Sequence, residues 1–345
     1  MVDGKCAKGS TATPRFVVIL FCIVLTVFLS ACSVVSSDTS VVSQDSAAAE
    51  EDSVPAVPTS GVAAEKIDSA DVVKEDASSS ATAADDVANS WQLVVRFIDV
   101  GQGDCALITC GGQSLMVDGG PSEASSKVYS ILKRLGITSI DYVVATHPDA
   151  DHIGGLSGAL IASTCGAFYC SSETSDTSTF ESLVSRVKGQ GLEVQVPSAG
   201  DSFSLGDATV TFVGPVKAIP NSENNNSLVL RIDFGTNSLL LMGDAEEEEE
   251  SSLISAGANL SADVIKVAHH GSSSSSMLAF LRKVCPKYAV ISVGDNDYGH
   301  PTAATISRLK TVGAEILRTD EVGSVIMTSD GNSISVASTK GDIDE

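Results

Sequence analysis

The feature that most constrains this chain is a short polar motif at residues 146–155, which reads T-H-P-D-A-D-H-I-G-G. A run of apolar residues at 142–145 leads directly into it. An apolar run that ends in a tight Gly-Gly turn is typical of a buried strand followed by a helix. Imidazole suits zinc, iron and manganese, and carboxylate suits harder ions, so this mixture at a strand end predicts a metal site. The four ionisable side chains of the motif are His147, Asp149, Asp151 and His152.

The alternative interpretation of this motif is a solvated turn rich in aspartate. Such a turn does not need two of the five histidines in the chain. In addition, Asp244 follows a second apolar run, and His269 and His270 follow a third. This recurrence favours a metal site that is assembled from the ends of several strands.

The amino terminus has the pattern of a targeting segment. Three basic residues precede an apolar run at residues 16–29, which is short for a membrane span and typical of the central part of a signal peptide. The run ends in Leu29-Ser-Ala-Cys32. This resembles a bacterial lipoprotein signal, in which the cysteine is lipidated and becomes the mature amino terminus. We therefore expect residues 1–32 to be a lipoprotein signal peptide with Cys32 as the lipidation site.

An uncleaved anchor helix is the alternative for this segment. Both interpretations attach the protein to the cell membrane and place the rest of the chain outside the cytoplasm. In both cases the membrane is a predicted partner through the anchor.

Residues 33–90 have the composition of a disordered linker. They are rich in Ser, Ala, Val, Asp and Glu, contain no aromatic residue, and carry 12 acidic and 2 basic residues. Such a segment cannot bury enough apolar surface to offset the entropy lost on ordering. We expect it to hold a folded domain, residues 91–345, at a distance from the membrane.

The predicted domain at residues 91–345 is acidic, with 31 acidic and 16 basic residues. The whole chain has a formal net charge of −23 and is 43% hydrophobic, which is sufficient for a core. The acidity argues against a large nucleic-acid-binding surface, which is normally basic. None of the five cysteines in the domain belongs to a C-x-x-C pair, so a structural zinc knuckle is not predicted, and a bond between Cys165 and Cys170 stays open.

Strands and helices are mixed along the domain. Short apolar runs between Gly-rich turns predict strands and hairpins, and segments with helical spacing of apolar residues lie between them. This order is neither a regular βαβ alternation nor all-β, so two mixed sheets that face each other, with helices outside, fit best. One helix is predicted at residues 246–256, and its acidic first turn, residues 246–250, is predicted to be solvated.

Seven segments occur in order along the domain: D-V-G-Q-G-D at 99–104, D-G-G at 118–120, the motif at 147–155, N-S-L-V-L at 226–230, G-D at 243–244, H-H-G-S at 269–272 and Y-G-H-P at 298–301. Taken together, these segments resemble the metallo-β-lactamase fold, and most of all the soluble domain of ComEC-type competence proteins. The resemblance implies an α+β domain with a four-layer αββα sandwich and a metal site at the ends of the sheets. It also implies hydrolysis by metal-activated water, with one or two divalent ions, zinc or manganese, as the cofactor.

The chain departs from the family pattern at two places. Asp149 stands where the family usually has a second histidine, and the histidine that the family supplies before the bridging aspartate is absent. The resemblance therefore implies one metal position with Asp151, a histidine from each of two motifs, and Asp244. The other position keeps His147 and Asp244, with Asp149 as a candidate oxygen ligand. The full set of predicted metal ligands is His147, Asp149, Asp151, His152, Asp244, His269 and His270.

Other residues receive supporting roles. We favour His269 over His270 as the late ligand because it comes first after the strand. Asp104 and Asp118 are predicted to orient ligand imidazoles by hydrogen bonds, with turn capping as the alternative. A further supporting residue, Asn226, lies near the place of the missing histidine. The predicted catalytic residues are Asp151 and His300; for His300, proton transfer, substrate contact and a purely structural role stay open.

The predicted function is that of a membrane-anchored, extracytoplasmic, metal-dependent hydrolase of phosphodiester bonds, with DNA as one candidate substrate. One alternative is a binding or scaffold lipoprotein that retains the fold, and another is a hydrolase of a different ester or of a lactone. A true β-lactamase is disfavoured because both departures from the family pattern lie in the metal motifs. The sequence makes no prediction about oligomeric state.

Overall fold

The computed structural model of the protein describes residues 91–340. The predicted signal peptide, with Cys32, and the predicted linker lie outside the described residues. Within residues 91–340, no helix is long and apolar enough to cross a membrane.

Two mixed β-sheets form the centre of the fold. The strands are β1 (Leu93–Phe97), β2 (Ala106–Cys110), β3 (Gln113–Val117), β4 (Ser139–Ala145), β5 (Thr164–Cys170), β6 (Val194–Gln195), β7 (Ser202–Leu205), β8 (Ala208–Gly214), β9 (Val229–Phe234), β10 (Asn237–Leu241), β11 (Val264–Lys266), β12 (Tyr288–Ile291), β13 (Glu315–Arg318), β14 (Val325–Ser329) and β15 (Ile334–Ser338). The first sheet has the order β15-β14-β1-β2-β3-β4-β5-β6, and the second has the order β13-β12-β11-β10-β9-β8-β7.

The helices lie between these strands along the chain. They are α1 (Ser125–Arg134), α2 (Ala150–Ile153), α3 (Leu156–Ala162), α4 (Ser178–Gly189), α5 (Glu247–Ala256), α6 (Leu278–Val284), α7 (Ala303–Thr311) and α8 (Thr319–Val322), with short 3₁₀ turns at Ser122–Ala124, Asn224–Asn226 and Ala268–Gly271.

Both sheets follow the same plan. Each begins with antiparallel hairpins, β1-β2-β3 in one and β7-β8-β9-β10 in the other. Each then continues with parallel strands, β3-β4-β5 and β10-β11-β12-β13, which are joined by helical crossovers. The loops that follow β3, β4, β10 and β11 meet at one edge of the molecule, and these loops carry the predicted site.

The core has three apolar layers, which is the arrangement of a four-layer αββα sandwich. Alternate residues of each strand face opposite sides, as the period of a strand requires. In β4, for example, Val144 packs between the two sheets, whereas Val143 and Ala145 pack against the outer helices α1, α3 and α4. A third layer lies between the second sheet and helices α5, α6 and α7. The predicted fold class is confirmed.

The acidic start of α5 differs from the prediction. Glu247 and Glu248 are exposed, but the side chains of Glu249 and Glu250 are 0% and 1% exposed. The Glu250 carboxylate accepts hydrogen bonds from the backbone N–H groups of Ser276 and Met277 at the start of α6. The predicted solvated face is therefore wrong for Glu249 and Glu250, because both carboxylates hold neighbouring backbone segments.

The structure also answers whether Cys165 and Cys170 form a disulfide bond. Cys165 and Cys170 lie at opposite ends of β5, and both thiols are free.

Candidate metal centre

The polar motif at 146–155 changes direction within a few residues. β4 ends at Ala145, so His147 follows directly from a buried strand. Asp149 then has extended backbone angles and precedes the short helix α2, whose first turn contains Asp151 and His152. The strand end and the helical turn therefore present their side chains to one point.

Glycines allow the loops around this point to touch. A Cβ at Gly155 would lie 1.9 Å from the carbonyl oxygen of Gly119, and a Cβ at Gly119 would lie 2.4 Å from the amide nitrogen of Leu156. No side chain fits at such distances. The Gly-Gly pairs of the two motifs are therefore explained by close packing. They allow Asp118, at the end of β3, to lie against the loop after β4.

His152 is held from both sides by carboxylates. Its Nδ1 lies 3.0 Å from Asp118 Oδ2, and its Nε2 lies 3.2 Å from Asp244 Oδ1. Asp118 is itself fixed, because it accepts hydrogen bonds from the backbone N–H and the hydroxyl of Thr146. Burial lowers the pKa of His152, but Asp244 and Asp118 outweigh it and raise that pKa well above its usual range. Asp118 therefore lies where a carboxylate that orients the His152 imidazole would lie, and that role stays a prediction.

The two late histidines have different environments. The His270 ring is buried, and its Nε2 lies 3.2 Å from Asp151 Oδ2 and 3.6 Å from Asp244 Oδ2. The His269 ring is 23% exposed, its Nδ1 lies 3.1 Å from Glu246 Oε1, and its Nε2 lies 3.7 Å from Asp244 Oδ2. Candidate ligand atoms of His270, Asp151 and His152 lie within 4.8 Å of one another. The geometry therefore favours His270 as the late ligand, which reverses the preference for His269.

The backbone explains this reversal. His269 and His270 both have positive φ values, 50° each, which is uncommon for residues other than glycine. Two successive left-handed residues turn the chain sharply, so the second histidine is buried within the cluster, whereas the first reaches Asp244 from the solvent side. Backbone strain of this kind is concentrated at functional sites.

The His147 side chain is held by longer contacts than the His152 side chain. Its Nδ1 lies 3.1 Å from the Thr146 hydroxyl and 3.4 Å from the Ser227 hydroxyl. Its Nε2 lies 3.4 Å from Asp149 Oδ2, and the Asp149 side chain is 40% exposed. Asp149 shares a hydrogen bond with Glu223, and this contact raises the pKa of Glu223. Glu223 was not predicted, since it is an isolated acidic residue in a polar loop.

Four of the buried atoms that make no hydrogen bond among the described residues are candidate metal-ligand atoms, and each of the three imidazole nitrogens among them lies 3.2–3.4 Å from a carboxylate oxygen. They are the Nε2 atoms of His147, His152 and His270 and the Oδ1 atom of Asp244. Leaving a buried polar atom unpaired costs about 1–3 kcal/mol, so four together need an explanation. Imidazole nitrogens and carboxylate oxygens that converge in this way are the ligand atoms of divalent metal ions. The residues present therefore fit the predicted metal.

A buried lysine lies beneath the cluster and was missed from the sequence. Lys266 is the last residue of β11 and is 3% exposed. Its ammonium group contacts Asp104 Oδ2, and Asp104 Oδ1 lies 3.3 Å from His270 Nδ1. Burial raises the pKa of Asp104, but Lys266 and His270 lower it more, to about 2. The signal in the sequence was the single charged residue inside the apolar run V-I-K-V-A.

The loop before β9 contributes through different residues than predicted. The Asn226 amide accepts from the backbone N–H of Ile219 and donates to the Ile219 carbonyl, so it holds its own loop rather than a ligand. The Asn226 side chain therefore does not contact a candidate ligand through these bonds. The next residue, Ser227, does, because its hydroxyl accepts from the Asp244 N–H and also contacts His147.

His300 lies beside the cluster and outside the set of converging atoms. Its ring is edge-on to the His269 ring, with 5.4 Å between centroids, and stacks on Tyr298 at 5.7 Å. Burial and the neighbouring His269 and His270 lower the pKa of His300.

Comparisons with known proteins show the family of the chain. The sequence profile of the metallo-β-lactamase superfamily matches residues 98–295. The chain is 30% identical over 250 residues to ComE operon protein 3 of Bacillus subtilis, and the match covers 67% of this chain and 32% of that protein. It is 31% identical over 237 residues to competence protein ComA of Neisseria gonorrhoeae, with 68% and 32% covered. The chain thus matches about a third of the length of these relatives, and they confirm the resemblance drawn from the motifs.

Among solved structures, the metallo-β-lactamase fold protein YhfI from Bacillus subtilis is similar to the chain at 16% identity. The match has a TM-score of 0.48 and covers 69% of this chain and all of that one.

Proposed function

Because the chain belongs to the metallo-β-lactamase superfamily and its motifs converge on one buried cluster, we propose that it is a metal-dependent hydrolase of phosphodiester bonds. The observation that carries this proposal is the convergence of the His152 and His270 Nε2 atoms on Asp244, with His147 in the same cluster. We further propose that a lipid on Cys32 attaches the enzyme to the outer side of the cell membrane.

Two sets of residues would hold divalent ions. Candidate ligand atoms of Asp151, His152 and His270 form one set, and those of His147, His152 and Asp244 form the other, with Asp149 Oδ2 3.4 Å from His147 Nε2. When bound, a divalent ion lowers the pKa of water and polarises a phosphoryl oxygen. Because carboxylates contribute to both sets, manganese is a candidate beside zinc.

The protein itself supplies orientation and proton transfer. Asp118 and the carbonyl oxygen of Ser292 each accept from the Nδ1 of a ligand histidine, so the Nε2 atoms stay aimed at the cluster. The Asp151 carboxylate is 36% exposed and lies at the solvent edge of the cluster. In this proposal it accepts the proton that the attacking water loses. His300, with its lowered pKa, is neutral at neutral pH and contacts the substrate instead of donating a proton.

The phosphodiester class rests on the resemblance to ComEC-type proteins, which suggests nucleic acid. The charge of the domain opposes long DNA, because a net charge of −15 repels a polyanion over a Debye length of about 10 Å. Long DNA also needs a basic track along its backbone. DNA and short phosphodiesters of the cell envelope are therefore the two candidate substrates.

The test is a substrate panel on the purified, metal-loaded protein. We expect an activated phosphodiester to be hydrolysed well above a lactam and a lactone, with and without added manganese, and single-stranded DNA is tested beside them. The His152→Ala variant is the matched control for contaminating hydrolases. Lactam or lactone turnover far above that of the phosphodiester would overturn the proposal. DNA cleavage that persists at high salt would overturn only the charge argument.

The anchor is tested separately. A Cys32→Ser variant should accumulate as an unprocessed precursor without incorporated lipid label. A wild-type protein that retains residues 1–31 and carries no lipid would contradict this part of the proposal.

A further inference from the structure

An exposed aromatic ring stands next to the metal centre. The Tyr298 side chain is 75% exposed, which is the highest exposure of any large apolar side chain in residues 91–340. A single exposed aromatic residue is ordinary on a protein surface. Tyr298 differs because it stacks on His300, with 29° between the rings, and His300 in turn meets the His269 ring edge-on. A row of flat rings therefore leads from solvent to the candidate ligands.

One side chain holds the backbone of this loop. The Asn296 amide donates to the carbonyl oxygens of Gly294 and His300 and accepts from the N–H groups of Tyr298 and His300. Gly299, between the two ring residues, has a φ of 76°, which a residue with a side chain adopts at a cost. The ring pair is thus presented by a closed, preformed turn.

The turn is also fixed relative to the late histidines. The Thr302 N–H donates to the carbonyl oxygen of Gly271 over 2.9 Å. A Cβ at Gly271 would lie 2.5 Å from Pro301 Cβ, so the two segments are in direct contact. Gly271 follows His270, and the position of the rings relative to the metal centre is therefore set by backbone contacts.

The residues of the loop at 295–301 favour a ligand with an uncharged, flat group. Asp295 and Asp297 flank the rings and are exposed, and the loop at 295–301 contains no lysine or arginine. It therefore cannot recognise a phosphate by charge. By contrast, an exposed tyrosine face binds any nucleobase, because every base has a π-face. The His300 ring, which stacks on Tyr298, extends this flat surface toward the metal centre.

From these contacts we infer that Tyr298 and His300 form a stacking site for a nucleobase next to the scissile bond. The substrate class is then a phosphodiester of nucleosides, either a short oligonucleotide or a single-stranded end. This inference rests on the proposed function and narrows it, because a cell-envelope phosphodiester without a base cannot use the site. Asp295 and Asp297 repel phosphate groups, so the part of the substrate that contacts this loop carries few phosphates.

The experiment compares two trinucleotides of equal length and charge on the full protein. One carries bases, and the other carries abasic tetrahydrofuran residues. We expect the wild-type kcat/KM ratio of base-containing to abasic substrate to be roughly tenfold or more, as stacking on one aromatic side chain supplies. In Tyr298→Ala this ratio should fall close to one, whereas Tyr298→Phe should retain it. Tyr129→Ala, which removes another partly exposed tyrosine on α1, is the matched control and should keep the wild-type ratio.

The outcomes separate the inference from the function. Equal hydrolysis of both trinucleotides by the wild type, or an unchanged ratio in Tyr298→Ala, overturns the stacking site and leaves the hydrolase intact. Hydrolysis of neither trinucleotide and of no activated phosphodiester overturns the proposed function. Equilibrium binding of the same pair to the metal-loaded protein gives the ratio without turnover. A base-dependent affinity that Tyr298→Ala removes supports the stacking site, and equal affinities overturn it.

Discussion

The two halves of the metal centre are built differently. In the half formed by Asp151, His152 and His270, called here the His152 half, each imidazole has a fixed acceptor for its Nδ1 atom. In the half formed by His147 and Asp149, called the His147 half, the Nδ1 atom of the single imidazole has only hydroxyl contacts, at 3.1 and 3.4 Å. A well-oriented imidazole is a better ligand, so the His152 half should bind a metal ion more tightly.

The supporting carboxylates of the two halves also differ in solvent exposure and in their charged neighbours. The acceptor for His152, Asp118, is 1% exposed and is itself held by Thr146. The carboxylate of the His147 half, Asp149, is 40% exposed and shares a hydrogen bond with Glu223. The half that departs from the family pattern is thus also the half without a rigid shell. In this chain, the metal position with fewer imidazoles is also the one whose imidazole is held less firmly.

Removing one candidate ligand from each half of the metal centre is expected to have the largest effect on metal binding and activity. We expect His152→Ala to lose tight metal binding and to lower activity by more than about 100-fold, because losing a ligand should exceed the 10- to 100-fold effect of losing a supporting residue. His147→Ala should keep one tightly bound ion. Metal content after dialysis and hydrolysis of an activated phosphodiester are the measurements. A His147→Ala protein that retains no metal would show that the halves are not separable.

The buried ion pair beneath His270 supports only the His152 half. Lys266→Met leaves the buried Asp104 carboxylate without its partner, which should lower the free energy of unfolding by about 3–5 kcal/mol. The double variant Lys266→Met with Asp104→Asn removes both charges and should recover much of that loss. Urea unfolding of the metal-free proteins measures both values. If the single variant were as stable as the wild type, Lys266 would have no supporting role.

Glu250 links stability to pH through the segment that follows His270. Burial raises the pKa of Glu250 from 4.5 to about 7, so the folded protein holds a proton that the unfolded chain releases. This contribution to stability is fully present below pH 4.5 and is lost as the pH rises through about 7. Since Gln cannot ionise, the stability of Glu250→Gln relative to the wild type should improve by about 3 kcal/mol between pH 4.5 and 8. Unfolding curves at both pH values measure the change, and a constant difference would contradict it.

Much of the fold could be predicted because the apolar runs have the right period and the glycines mark the turns. The motif at 146–155 identified one strand end and four candidate ligands, since metal chemistry needs those residue types close together. The choice between His269 and His270 could not be predicted, because it depends on two left-handed residues in succession. Glu223 and Lys266 were missed for another reason: each is a single charged residue whose partner is distant along the chain.

The burial of Glu249 and Glu250 illustrates a further limit. A run of five glutamates at the start of a helix predicts a solvent-exposed face, because negative charge is favourable at that end of the helix dipole. In the folded protein these two carboxylates accept hydrogen bonds from backbone N–H groups of the segments around Val216 and Ser276. Such contacts are made by tertiary packing, and neither composition nor periodicity indicates them.

The most direct test of the central claim is a calorimetric titration of the metal-free protein with manganese and, separately, with zinc. The unequal halves predict two binding events per chain for at least one of these ions. The first should be tight and absent from His152→Ala, and the second should be weaker and absent from His147→Ala. Two ions bound with equal affinity, or a tight ion that survives in His152→Ala, would contradict the account.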